Sequence, residues 1–84
     1  MVRGRVQGVG FRAHAQTVAR RLELVGFVRN RRDGAVEGEA QGTEAALAEF
    51  VSWLQTGPSW SQVDEVWTED LPVVGDETTF EVRR

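Results

Sequence analysis

Twice along this chain a short stretch with apolar residues at every second position gives way to one with apolar residues at helical spacing, and this alternation limits the fold most. In residues 2–7, valine and glycine fall on one side and Arg3 and Arg5 on the other, which reads as a short strand ended by Gly8 and Gly10. From Phe11 onward Ala15, Val18, Ala19 and Leu22 follow a helical period, giving a helix that stops before Gly26. Phe27 and Val28 open a second strand running to Asn30, and Asp33-Gly34 supplies the backbone freedom of a hairpin turn. The return strand, residues 35–41, sets Val36, Gly38 and Ala40 against Glu37, Glu39 and Gln41, so one of its sides is wet. Thr43 is placed to cap a second helix, with Leu47, Phe50, Val51 and Leu54 as its apolar stripe until Gly57-Pro58 breaks it. Residues 63–67 read as a fourth strand, 71–78 as a loop and 80–83 as a final short strand.

Two right-handed β-α-β crossovers sharing one sheet give an α+β, ferredoxin-like β-α-β-β-α-β sandwich, an antiparallel sheet with two helices on one face and a short fifth strand. The first strand should lie in the centre. A chain of 84 residues has material for one core, so residues 1–84 are expected to be a single domain, without repeat, low-complexity tract or linker. Cysteine is absent, which removes disulfides and thiolate metal ligation. Neither a long apolar run nor a charged-then-apolar amino terminus is seen, so a soluble cytoplasmic protein without membrane contact is expected.

A net charge of −3 argues against holding nucleic acid by bulk electrostatics, but the charge is unevenly spread. Eight arginines and one acid, Glu23, lie before residue 33, and residues 33–82 carry twelve acids and no base. The basic third contains a strand, a glycine-bearing loop and a helix start in residues 4–12, a combination that suits an anion. Unpaired amides at a helix start point outward, the helix dipole favours negative charge there, and glycines let the backbone approach an oxyanion. The loop residues Gln7, Gly8, Val9, Gly10 and Phe11 are the candidate cradle; neither nucleotide-binding glycine spacing is present. Arg12 offers the same anion a planar, bidentate, permanently charged donor; otherwise it is a surface arginine in the first helical turn.

The run Gly4-Arg5-Val6-Gln7-Gly8-Val9-Gly10-Phe11-Arg12, followed by Gly26-Phe27-Val28-Arg29-Asn30 and Asp33-Gly34, resembles the acylphosphatase family. The likeness extends through Val36-Glu37, Gly42, Gly57-Pro58 and Phe80-Glu81-Val82-Arg83, nearly the whole chain. It implies a ferredoxin-like fold and hydrolysis of small acyl phosphates to carboxylate and inorganic phosphate, without metal or other cofactor. The loop would bind the substrate phosphate, Arg12 would clamp it, and Asn30 would hold the attacking water. Such chemistry needs no general acid, because a carboxylate of reference pKa ~4 leaves unprotonated. The alternative is a non-catalytic acyl-phosphate or carbamoyl-phosphate binding module, as acylphosphatase-like domains also occur in larger carbamoyl-transfer proteins.

Other residues have plainer readings. The single histidine, His14, is assigned no role. Gln7 offers the phosphate its side-chain amide or its backbone N–H, or only shapes the loop. Arg5, Arg29, Arg31 and Arg32 are solvated surface before they are anion-steering groups. Trp53, Trp60 and Trp67 are dispersed, like core and loop anchors rather than a base-stacking platform. Glu37, Glu39, Asp64 and Glu65 lack histidine or cysteine neighbours, so no metal site is expected. Only three residues precede Gly4, so the first strand should be short, either because the natural chain starts upstream of Met1 or at some cost in stability. The partners expected are a small acyl phosphate and inorganic phosphate, bound by a monomer.

Overall fold

The computed structural model describes residues 1–58, 61–70 and 78–83. Its elements are β1 (Val2–Arg5), α1 (Phe11–Arg21), β2 (Val25–Asn30), β3 (Val36–Gln41), α2 (Glu44–Thr56), β4 (Gln62–Val66) and β5 (Phe80–Arg83). Trp60 and all but the last residue of the 71–78 loop lie outside the described residues. The sheet order is β4-β1-β3-β2-β5, so β1 and β2 flank β3, and β3 and β4 flank β1. All pairings are antiparallel except the last, in which β5 runs parallel to β2. The expected wholly antiparallel sheet is thus mixed at one edge, because β5 runs in the same direction as β2.

β1 is shorter than the alternation in residues 2–7 suggests. A register shift between Arg3 and Gly4 bends it, and its only paired residue toward β3 is Val2, opposite Val36. Gly4 sits against β4 so closely that a Cβ there would lie 2.1 Å from the Gln62 carbonyl oxygen. α1 ends before the glycine that signals a stop. Glu23 takes the left-handed conformation at φ 60°, and the Leu24 and Glu23 amides donate back to the Ala19 and Arg20 carbonyls at 2.9 and 3.1 Å. This closes the helix in a Schellman motif with Leu24 buried behind it. Gly26 is left free to enter β2, where it is flanked by Ala40 and Phe80 on its two neighbouring strands.

α2 begins as its sequence suggests, with the Thr43 hydroxyl accepting from the Ala46 amide at 3.1 Å. Both helices cover one face of the sheet. Phe11, Ala15 and Ala19 of α1 and Ala46 and Phe50 of α2 form one buried cluster with Val2, Val6, Leu24, Val28, Val36 and Phe80. Trp53 joins the helices, its ring 5.5 Å from that of Phe11 and stacked 6.3 Å from that of Phe50. Burial of a ring such as Phe11 is worth roughly 1.5–3 kcal/mol, and here it also fixes where the first loop meets its helix. The uncovered face carries charge, including Arg3, Arg5, Arg29 and Glu39.

Candidate active site

Two buried side chains, Val6 and Phe11, anchor the ends of the first loop and leave the turn between them at the surface. Gly8 and Gly10 both take left-handed conformations, at φ 75° and 76°. Such residues within a turn direct neighbouring N–H groups toward one concave side. Gly10 is the N-cap of α1, yet no side chain caps the helix and no acid occupies its first turn. The first-turn amides therefore find no acceptor in the helix or in a capping side chain, and the first turn itself places no acid at the positive end of the dipole. His14 lies over this turn, its Nδ1 2.9 Å from the Gly10 carbonyl oxygen.

Arg12 is carried by the first turn of α1. Its Nη1 donates to the Arg83 carbonyl at 2.8 Å, which ties the guanidinium to the end of β5. Arg83 lies opposite Arg29 in the parallel ladder, so Arg12 is held at the end of the sheet where β2 finishes. One donor of a five-donor fork is spent on that carbonyl.

Asn30 is the last residue of β2, paired with Val36. The alternation of the strand gives it the same face as buried Val28, the helix side. Its Oδ1 is buried and accepts no hydrogen bond from the described residues. Leaving a buried amide oxygen without any donor costs about 1–3 kcal/mol, so this oxygen is a candidate acceptor for a water or a ligand. Asn30 also lines a shallow surface depression with Arg29, Arg31, Arg32 and Glu37.

The hairpin beyond Asn30 is closed by local bonds. The Arg31 amide donates to the Ala35 carbonyl at 2.8 Å, and Asp33 Oδ1 accepts from the Ala35 amide at 3.1 Å. That amide is the main cause holding the Asp33 carboxyl below its ordinary range, with Arg31 and Arg3 adding to it. The first loop reaches the same hairpin: Gln7 Nε2 donates to the carbonyls of Arg31 at 2.7 Å and Ala35 at 2.9 Å. The structure thus sets Gln7 against the hairpin just beyond Asn30, and Arg12 at the end of the sheet where β2 finishes. Of the arginines considered for steering, Arg29 and Arg31 are paired with Glu37, and Arg31 also with Asp33. Arg5 and Arg32 form no ion pair among the described residues.

A family model described as acylphosphatase matches residues 1–82. The chain belongs to the acylphosphatase family. An acylphosphatase of Bifidobacterium longum (strain NCC 2705) is 51% identical over 86 residues, taking in 100% of this chain and 88% of that protein. The crystal structure of acylphosphatase from Bacillus subtilis matches with a TM-score of 0.93 at 38% identity, covering 99% of this chain and 92% of that one. A similar fold occurs inside a larger protein, T. kodakarensis HypF, at a TM-score of 0.85 and 29% identity over 98% of this chain but 11% of that one. Two features of this candidate site lie outside the reading of the sequence, the Arg83 carbonyl that holds Arg12 and the Gln7 bonds to the hairpin. The first is a backbone atom and has no side-chain signal. The second lay within one of the alternatives for Gln7, loop shaping, without a partner to name. Among the described residues no group of three or more His, Cys, Asp or Glu is placed to hold a metal ion, and no helix is long and apolar enough to cross a membrane.

Proposed function

We propose that the amides of residues 7–11 and the Arg12 guanidinium hold the phosphoryl group of a small acyl phosphate while Asn30 orients the water that attacks it. The chain is an acylphosphatase: it hydrolyses acyl phosphates to a carboxylate and inorganic phosphate. The water oxygen bonds to phosphorus, the bond from phosphorus to the acyl oxygen breaks, and the carboxylate departs with that electron pair. The water's proton passes to a phosphate oxygen. A carboxylate of reference pKa ~4 needs no proton on leaving, so the reaction does not call for a general acid. Phosphoryl transfer relies on positioning and on charge placed where it develops, tasks within reach of amides, one guanidinium and one oriented water. A neutral carboxamide suits the water because a carboxylate there would repel the phosphate.

The observation that supports this reading most is the buried Oδ1 of Asn30, which accepts no hydrogen bond from the described residues, at a hairpin that Gln7 bonds to the first loop. Metal-independent hydrolysis is tested with benzoyl phosphate in excess chelator: the wild-type chain should hydrolyse it, and folded Arg12→Ala and Asn30→Ala variants should do so at least about 100-fold more slowly. Inorganic phosphate should compete with substrate in the wild type and in Asn30→Ala, and lose its grip in Arg12→Ala. A normal rate in Asn30→Ala would remove the water-holding role, and activity abolished by chelator would remove the metal-independent mechanism. Binding of acyl phosphate without turnover would favour a binding module. The same reading takes residues 1–84 as one acylphosphatase domain, acting as a cytoplasmic monomer on a small-molecule substrate and without nucleic acid.

A further inference from the structure

We propose that Gln7 is a positioning residue for the hydrolysis, its carboxamide setting the distance between the amides that hold the phosphate and the Asn30 side chain that holds the water. This rests on the assignment of Arg12 and Asn30 given above. The Gln7 amide nitrogen has two N–H groups, and both are used, on the carbonyls of Arg31 at 2.7 Å and Ala35 at 2.9 Å. Those two residues are themselves bonded, Arg31 amide to Ala35 carbonyl, at 2.8 Å. They are also the residues just past the Asn30–Val36 pair of the β2–β3 ladder. Gln7 therefore spans the neck of the hairpin immediately beyond Asn30.

On its other side Gln7 precedes Gly8, the first left-handed glycine of the loop. From the loop to the water-holding side chain the link is one side chain, two hydrogen bonds and one peptide unit. The covalent route between them runs instead through the whole of α1 and β2. Because both donors are turned onto the hairpin, the side chain acts on the phosphate only through the loop backbone. A displacement of about 1 Å between reacting groups costs up to ~100-fold in rate, so a tether of this length is enough to matter. Few other side chains do the same work: glutamate brings two acceptors against two carbonyls, methionine of similar length brings no donor, and asparagine falls one methylene short.

The test is a double-mutant cycle on benzoyl phosphate hydrolysis, with inorganic phosphate inhibition measured alongside. Gln7→Met should lower kcat about 10- to 100-fold, while the phosphate inhibition constant stays within about twofold because the phosphate-holding groups are intact. In an Asn30→Ala background the same substitution should change kcat less than about twofold, since the group it positions is gone. Three results would overturn the proposal: an unchanged kcat in Gln7→Met, phosphate affinity falling in step with kcat, or an equal loss in the Asn30→Ala background. If Gln7→Met is unfolded at the assay temperature, Gln7→Asn replaces it with the same expected outcomes. Wild-type turnover by Asn30→Ala alone would instead refute the assignment of Asn30, and the proposal with it.

Discussion

Asn30→Ala should separate stability from activity, and the structure sets the scale of both effects. The Oδ1 of Asn30 is buried and accepts no hydrogen bond from the described residues, so truncation to alanine breaks no bond from that oxygen to them and removes a few packing contacts of the amide. The net expectation is a stability changed by less than about 1 kcal/mol, whereas most buried truncations destabilise by about that amount or more. In a domain of this size 1 kcal/mol corresponds to about 4–8 °C in Tm. Hydrolysis should fall by about 10²–10³-fold, the scale seen when one preorganised polar group is removed from a reacting centre. Urea titration and thermal melting give the first quantity, and initial rates on benzoyl phosphate the second. A loss of more than about 1 kcal/mol would mean that the oxygen is already bonded to a protein donor in the folded state, and the argument that it serves a water would fall.

Further outcomes follow from the backbone and the hairpin. Glu23→Gly relieves a side chain from the left-handed region at φ 60° and should stabilise the fold by about 0.5–1 kcal/mol, read from the urea midpoint; a loss of stability would show that the Glu23 side chain contributes there. Gly26→Ala should unfold the domain or cost more than about 4 kcal/mol, because its Cβ would sit 2.0 Å from the Glu39 carbonyl oxygen. Gly8→Ala meets nothing within 4 Å and should cost only about 1–2 kcal/mol for its φ; equal losses at the two positions would mean that steric contact is not what distinguishes them. The Asp33 carboxyl is held below its ordinary value of 3.8, so its contribution is fully present above that pH and is lost as the pH falls through the lower folded value. The stability difference between wild type and Asp33→Asn should therefore shrink on acidification below pH 3.8; a difference that stays constant there would refute the linkage.

What could be read from the residues alone was local. The order of elements, the Thr43 cap, the Asp33-Gly34 turn and the loop from Gln7 to Phe11 depend on neighbours a few positions apart, and period and turn chemistry report them directly. Gly26 shows the limit of that reading: the helix does stop before it, but only the strands on either side make Gly26 itself part of β2. The parallel placement of β5, the bond from Arg12 to the Arg83 carbonyl and the tether from Gln7 to Arg31 and Ala35 join residues far apart in the chain. Two of these end on backbone carbonyls, which every residue type possesses, so no side chain announces them. Residue types and their spacing were enough to single out the loop, the guanidinium and the carboxamide proposed to hold a phosphate and a water; which segments these groups are tied to is settled by packing and by hydrogen bonds between stretches that meet only once the sheet is assembled.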